Sequence, residues 1–210
     1  MIIKKPEQRV AVFIDTQNMY HSAKHLFGGR VNFGAVVDAA VGERHLIRAI
    51  AYVAKSKTGE ESAFFEALQQ NGIELKIKDV QEFASGQKKA DWDVGMTVDA
   101  IGVSPRVDVV VLATGDGDFV PLVEYLHGHG VLCEVVAFGE STNAKLREVA
   151  DAFIDLSSDS KRFLIHPRPH NEPVPAARVE RKELPGRRKQ GPRPPAPDLG
   201  QGLRKIRVTY

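Results

Sequence analysis

The sequence contains a single cysteine, Cys133, so no disulfide can form within one chain. It has no run of roughly 18 apolar residues, the length that a membrane-spanning helix needs. The first residues also lack the apolar segment of a secretory signal peptide. These absences argue against a disulfide-stapled secreted protein and against an integral membrane protein. They predict a cytoplasmic protein with no membrane partner.

Two motifs that bind nucleotides are absent as well. There is no Gly-x-x-x-x-Gly-Lys-Ser/Thr loop, and no Gly-x-Gly-x-x-Gly follows the first apolar segment. Binding of nucleoside triphosphates or dinucleotides is therefore not expected. His21 and His25 have the four-residue spacing of some zinc ligands, but no glutamate follows His21 and no third ligand is evident.

Charge and proline are unevenly distributed along the chain. Residues 166–210 carry 11 Lys+Arg against 4 Asp+Glu, a net charge of +7, whereas the other 165 residues carry 18 against 23, a net charge of −5. Nine of the 12 prolines lie within residues 167–197. Such a segment buries too little apolar surface to offset the entropy of ordering it. We predict a lead-in over 1–9, a folded domain over 10–163, and a disordered basic tail over 164–210 that is a candidate contact for RNA or protein.

Short apolar segments alternate with helical patterns through the folded part. The predicted strands cover residues 9–14, 45–53, 73–80, 107–112, 131–138 and 153–156, and a helix precedes each strand after the first. Strands that alternate with helices form right-handed βαβ units. The pattern therefore predicts an α/β fold with a mostly parallel sheet of five to six strands, covered by helices on both faces.

Carboxylates stand where two of these strands end and where one helix begins. Asp15 follows the first strand directly, and Asp116 and Asp118 follow the apolar run 109–112, within Thr114-Gly-Asp-Gly-Asp118, where two glycines permit a sharp turn. Asp91 and Asp93 lie at the start of the helix predicted over 93–101. If the strands that lead to Asp15 and Asp116 are neighbours, these acids converge at the carboxyl edge of the sheet.

Converging carboxylates raise one another's pKa unless a cation neutralises them. Mg²⁺ or Mn²⁺ is the natural partner, and two such ions about 3.5–4 Å apart can activate water for phosphodiester hydrolysis. Each acid also has a simpler interpretation: Asp93 and Asp118 could cap helices, and Asp116 could be a turn residue. Asp15 is harder to explain without a partner. The four positions together favour a metal site.

Other residues could lie close to the predicted site. Asn18, one helical turn after Asp15, can point into the same crevice, and Thr114 and Lys89 are further candidate contacts for substrate. A solvated loop explains Lys89 equally well. Asp99 lies six residues after Asp93, which is about 600° around a helix and about 120° from its face, so this carboxylate should be solvated or should support the site from behind.

Four segments together resemble the NYN domain family, a branch of the PIN-like ribonucleases, and in particular its LabA-like bacterial members. These segments are Phe13-Ile-Asp-Thr-Gln-Asn18, Lys89-Ala-Asp-Trp-Asp-Val-Gly-Met-Thr-Val-Asp99, Leu112-Ala-Thr-Gly-Asp-Gly-Asp-Phe119 and Leu146-Arg-Glu-Val-Ala-Asp-Ala-Phe153. The resemblance extends from about residue 10 to 156. It implies a Rossmann-like three-layer α/β/α sandwich of the PIN type and cleavage of RNA that depends on Mg²⁺ or Mn²⁺.

The same resemblance assigns roles to the acids. The implied catalytic residues are Asp15, Asp93, Asp116 and Asp118, and the implied metal ligands are Asp15, Asp91, Asp93, Asp99, Asp116 and Asp118.

Many relatives carry an appended winged-helix-type RNA-binding domain, whereas this sequence has the proline- and arginine-rich tail. A non-catalytic RNA-binding or regulatory adaptor is the alternative function, and a phosphoacceptor domain ranks below it. Whether the protein forms a homo-oligomer stays open.

Overall fold

The structure is a computed structural model that describes residues 4–55, 61–79 and 91–165, together with the backbone of 81–82 and 88–89. Its strands are β1 (Arg9–Asp15), β2 (Arg30–Val31), β3 (His45–Lys55), β4 (Glu74–Asp79), β5 (Gln81–Glu82), β6 (Lys88–Lys89), β7 (Val109–Ala113), β8 (Leu132–Ala137), β9 (Ala152–Asp155) and β10 (Leu164–Ile165). Its helices are α1 (Thr16–Phe27), α2 (Phe33–Val41), α3 (Ser62–Gln70), α4 (Asp93–Val103), α5 (Val120–Gly128), α6 (Ala144–Val149) and α7 (Ser160–Phe163). The predicted disordered tail begins at residue 164, but Leu164 and Ile165 form β10, which pairs antiparallel with β2. The rest of the tail, from residue 166 onward, lies outside the described residues.

Six strands form one sheet in the order β4-β3-β1-β7-β8-β9, and every pair in it is parallel. This confirms the predicted α/β class, and β1 pairs with β7, which is the condition under which the acids that follow these strands converge. The chain extends the sheet from β1 through β3 to β4, and later extends it on the other side through β7, β8 and β9. The order therefore reverses between β1 and β7, and ligands of open α/β sheets bind at such a switch point.

Both faces of the sheet are covered, which explains why its central strands β1 and β7 are continuously apolar. In β1, Val10, Val12 and Ile14 face a core shared with α1 and α2, whereas Ala11 and Phe13 face a second core shared with α4 and α5. All five side chains have no exposed surface. The three layers match the Rossmann-like sandwich that the family resemblance implies. No helix in the described ranges is long and apolar enough to cross a membrane.

Helix α4 is fixed to the sheet at its amino-terminal end. Met96 and Ala100, four residues apart, are fully buried in the second core. Just before the helix, the indole N–H of Trp92 donates a 3.0 Å hydrogen bond to the carbonyl oxygen of Val53, near the end of β3. Asp15, at the end of β1, pairs in register with Tyr52, which lies in β3 next to Val53. The start of α4 is thus held beside the carboxyl ends of β1 and β3.

Candidate metal centre

Asp15 forms the junction between β1 and α1. It caps α1, because its carboxylate accepts a 3.0 Å hydrogen bond from the backbone N–H of Asn18. The hydroxyl of Thr114 donates to the other carboxylate oxygen across 3.4 Å. Burial raises the pKa of Asp15, these hydrogen bonds partly oppose the increase, and the negative charge of Asp116 adds to it. Asp15 therefore caps α1, and it is also close enough to Asp116 for the charge of Asp116 to raise its pKa.

Asp116 and Asp118 belong to one tight turn after β7. The carboxylate of Asp116 accepts the backbone N–H of Asp118 at 3.0 Å, and the N–H of Asp116 donates to the hydroxyl of Thr114 at 3.2 Å. A short 3-10 helix over Gly117–Phe119 separates this turn from α5. Asp118 does not cap α5, since α5 begins at Val120 and the residue at the capping position is Phe119. The capping interpretation of Asp118 is therefore wrong.

Asp93 is the first residue of α4, and it is not the capping residue either, because Trp92 occupies that position without a side-chain cap. One carboxylate oxygen from each of Asp93, Asp116 and Asp118 lies within 4.8 Å of the other two. Burial raises the pKa of Asp93, and the neighbouring charges, led by Asp15 and Asp91, raise it further. Asp93 of one motif thus converges with Asp116 and Asp118 of another at the switch point of the sheet, whereas Asp15 and Asp91 are not in this group of three.

Gly115 and Gly117, in the turn after β7, are needed because other residues approach them closely, and not because the turn requires a positive φ. A Cβ atom on Gly117 would lie 2.4 Å from the side-chain nitrogen of Asn143, and one on Gly115 would lie 3.1 Å from the carbonyl oxygen of Ser141. Neither glycine is among those with positive φ. The backbone N–H of Asn143 also donates to the carbonyl of Gly115 at 2.9 Å. The two glycines therefore permit the close approach of the loops that follow β7 and β8.

A polar depression lies beside the acids between these two loops. It has a volume of about 420 Å³ and is lined by Asn18, Gly115, Asp116, Gly117, Glu140, Ser141, Thr142 and Asn143. Asn18 thus reaches the crevice, as predicted, and its side-chain oxygen accepts the N–H of Gly115 at 2.9 Å. Thr114 differs from the prediction of a substrate contact, because it is fully buried and its hydroxyl joins Asp15 to the turn. The side chain of Lys89 lies outside the described part of the chain.

Asp99 is in a separate network from the three clustered acids. Its carboxylate accepts a 2.6 Å hydrogen bond from the hydroxyl of Tyr52 and a 2.7 Å hydrogen bond from the ammonium of Lys76. Burial alone would raise the pKa of Asp99, but the hydrogen bonds from Lys76 and Tyr52 outweigh burial and lower it. This arrangement agrees with the position that the helical periodicity predicts for Asp99, behind the face of α4 that carries Asp93.

Sequence reasoning did not assign roles to the cations of β4. Lys76 pairs with Asp99, and the ammonium of Lys78 donates to the backbone carbonyl of Asp91 at 3.2 Å and lies 5.5 Å from the centroid of the Trp92 ring. The alternating pattern of β4 could have indicated that the two lysines act together, since residues 76 and 78 must point to the same face of the strand. Only the parallel pairing of β4 with β3 places that face beside the start of α4.

Residues 9–158 match the NYN domain. The chain belongs to the NYN domain family. It is 28% identical over 165 residues to the low amplitude and bright protein LabA of Synechococcus elongatus, a match that covers 74% of this chain and 87% of LabA. A crystal structure of a protein of unknown function from Vibrio parahaemolyticus superposes with a TM-score of 0.69 at 29% identity, over 78% of this chain and all of the other. The resemblance to LabA-like members of the PIN-like superfamily is confirmed.

The donor set of this NYN domain fits a hard divalent cation. The three converging ligands are carboxylates, and Mg²⁺ and Mn²⁺ prefer oxygen ligands over nitrogen or sulfur. In octahedral Mg²⁺ coordination at about 2.1 Å, opposite ligand oxygens lie about 4.2 Å apart and adjacent ones about 3.0 Å apart. The three carboxylate oxygens lie within 4.8 Å of one another, so side-chain rotations would bring them closer when a metal binds. The all-oxygen donor set fits the metal that the family implies.

Proposed function

We propose that this protein is a ribonuclease that requires Mg²⁺ or Mn²⁺ and hydrolyses phosphodiester bonds of RNA at the acid cluster. The observation that carries the proposal is the convergence of Asp93, Asp116 and Asp118 at the switch point of an NYN domain. Membership of a nuclease-like superfamily supplies the reaction class, and the all-carboxylate ligand set supports metal-assisted rather than histidine-based hydrolysis. RNA is the partner that the family suggests.

In this proposal Asp93, Asp116 and Asp118 hold the metal, and Asp15 and Asp91 contribute to the same field of negative charge. The bound metal would supply an activated water and stabilise charge on the leaving oxygen. Asp15 is proposed as a further catalytic acid, which acts from the junction of β1 and α1. Asp99 is a weaker candidate ligand, because Tyr52 and Lys76 already bind its carboxylate oxygens.

The chain must also offset the repulsion between RNA phosphates and the site's five carboxylates, which are those of Asp15, Asp91, Asp93, Asp116 and Asp118. Lys78 lies beside Asp91 and Trp92, at the amino-terminal end of α4, where a cation can meet a phosphate next to the cluster. Asn18 is uncharged and borders the polar depression, so it can contact a phosphate or water without adding repulsion. Lys89 and the basic residues of 166–210 are further proposed contacts for RNA.

The test is an assay of labelled RNA cleavage by the full chain in Mg²⁺, in Mn²⁺ and in EDTA. Asp93→Asn and Asp116→Asn should each lower the rate by several orders of magnitude, because loss of one ligand misplaces the attacking water. Asp38→Asn is the matched control, since Asp38 is an exposed acid of α2, on the opposite face of the sheet from α4. Cleavage by Asp38→Asn should equal that of the wild type.

Metal binding can be measured independently of cleavage. Trp92 is the only tryptophan and directly precedes Asp93, so Mn²⁺ bound at the cluster should quench its fluorescence. Asp93→Asn should weaken this quenching, and Asp38→Asn should not. Absence of cleavage of several RNAs in both metals, with RNA binding retained, would overturn the ribonuclease proposal and favour the non-catalytic adaptor.

A further inference from the structure

A second cavity of about 720 Å³ lies on the other side of the β1–α1 junction from the polar depression. It is formed by one face of α1, the segment from β2 to the start of α2, the end of β3, and α3; residues that line it include Gln17, Tyr20, Arg30, Phe33, Phe64 and Asn71. Its volume is within the range of about 300–1,000 Å³ typical of small-molecule sites. None of Asp93, Asp116 and Asp118 lines this cavity.

The cavity is bordered by residues that are linked to the proposed catalytic site. Thr16 and Gln17, which line it, directly follow Asp15 in the chain. Val53, on another wall, accepts the hydrogen bond of the Trp92 indole, and Trp92 precedes Asp93. These two links place the cavity beside the segments that carry Asp15 and Asp93, so one RNA strand can contact both.

Exposed aromatic rings are concentrated at this cavity. Tyr20 is 42% exposed and Phe64 is 37% exposed, although both are large apolar side chains. The ring of Phe64 packs against that of Phe33 with centroids 5.8 Å apart, and the ring of Tyr20 packs against His21 at 5.4 Å. Exposed rings that line a largely apolar cavity are the kind of surface on which proteins stack unpaired bases.

Cations accompany the rings. Residues Gln17, Tyr20, His21 and Lys24 follow the spacing of one face of α1, and the ammonium of Lys24 donates to the hydroxyl of Tyr20 at 3.2 Å. The exposed guanidinium of Arg30 belongs to the lining, as does Glu61, whereas Lys24 borders the cavity through Tyr20. This combination of aromatic stacking surface and positive charge complements a nucleotide, which carries a flat base and a negative phosphate. The acid cluster across the junction lacks that complementarity.

We infer that this cavity binds an unpaired base of single-stranded RNA, one or a few nucleotides from the scissile phosphate, and so restricts the substrate to unpaired segments. The inference rests on the proposed ribonuclease function. A paired base cannot enter the cavity, because its faces are covered by its neighbours in the stack. Tyr20 and Phe64 would hold the base by stacking, and Arg30 would contact the adjacent phosphate.

The test is the affinity of the full-length protein for a short labelled single-stranded oligoribonucleotide in EDTA, where the proposed nuclease cannot act. Tyr20→Ala and Phe64→Ala should each weaken binding roughly 5- to 100-fold, the usual effect of removing one base–aromatic stack. Arg30→Gln should reduce the slope of log K against log salt by about 0.7, the contribution of one phosphate contact on a single strand. Tyr125→Ala is the matched control, because Tyr125 is 38% exposed on α5 and does not line the cavity; its affinity should equal that of the wild type.

Different experimental results would overturn the base-binding cavity and the ribonuclease proposal. If no RNA is cleaved in any metal but binding still depends on Tyr20 and Phe64, the ribonuclease proposal falls and the base-binding site stands. Unchanged affinity in both alanine variants, with cleavage intact, overturns the base-binding site alone. Equal affinity for duplex and single-stranded RNA also overturns it, as does self-association of the wild type that Phe64→Ala abolishes, since the cavity would then hold a second copy of this chain.

Discussion

Replacing Asp93 by asparagine should stabilise the metal-free protein, although it removes an acid from the candidate active site. Asp93, Asp116 and Asp118 each place an oxygen within 4.8 Å of the other two, and no cation neutralises them in the metal-free protein. Asparagine keeps the size of the side chain but removes the charge. The repulsion between Asp93 and its two neighbours is then lost, whereas the buried contacts of α4 remain.

The magnitude follows from Coulomb's law. Two unit charges 4.8 Å apart repel by about 0.9 kcal/mol in bulk water and by about 3.5 kcal/mol at an effective dielectric constant of about 20. Asp118 is exposed, so values near the lower limit apply, and the two pairs together amount to roughly 2–3 kcal/mol. Loss of a negative charge at the start of α4 opposes this by about 0.3–1 kcal/mol. The expected net gain is roughly 1–2 kcal/mol at low salt, or roughly 2–8 °C in melting temperature.

The gain should depend on pH with a definite sign. The pKa of Asp93 is higher in the folded than in the unfolded protein, first because of burial and then because of the surrounding acids. The folded state therefore binds this proton more tightly, and the associated stability is present below the unfolded value of about 3.9 and lost as pH rises through the folded pKa. The advantage of Asp93→Asn should be largest near neutral pH and should disappear at about pH 3.

Asp99→Asn is the control, because Asp99 lies in the same helix but has the opposite electrostatic environment. It binds Lys76 and Tyr52, so its replacement should destabilise the protein, by roughly 0.5–2 kcal/mol given the partial exposure of Lys76. Urea unfolding in EDTA at several pH values measures both variants. Mn²⁺ should then stabilise the wild type more than Asp93→Asn, because binding to the folded state alone raises stability. Destabilisation of the metal-free protein by Asp93→Asn at neutral pH would refute the reasoning.

Three further perturbations test other parts of the structure. Gly117→Ala should lower cleavage and Mn²⁺ affinity, because the added methyl group meets Asn143 and displaces the turn that carries Asp116; quenching of Trp92 fluorescence reports the change in affinity. Glu134→Ala should cost roughly 3–5 kcal/mol in urea unfolding, since it leaves the guanidinium of Arg44 buried without the carboxylate that binds it at 2.8 and 3.0 Å. Deleting residues 166–210 should leave the melting temperature nearly unchanged and weaken the salt dependence of RNA binding; cooperative destabilisation would contradict the predicted tail.

The class of fold and the positions of the acids could be predicted from the sequence because both depend on local patterns. Continuous apolar runs such as Val109–Leu112 are typical of strands buried on both faces, and alternation of such runs with helices predicts a parallel sheet. An acid directly after such a run must lie at the carboxyl edge. Asp15, Asp116 and Asp118 were therefore recognisable as candidates before any tertiary contact was known.

The tertiary structure decided which of these candidates meet and what holds them. The strand order places β1 beside β7, and the packing of Met96 and Trp92 fixes the start of α4 at the same edge, so Asp93 approaches Asp116 and Asp118 whereas Asp99 turns toward Lys76. Thr114 points inward and serves the junction rather than a substrate. The aromatic cavity draws its walls from α1, α2, β3 and α3, and such a surface has no signature in any one segment. Local periodicity encodes what each segment buries; only the packing of distant segments determines which side chains share a site.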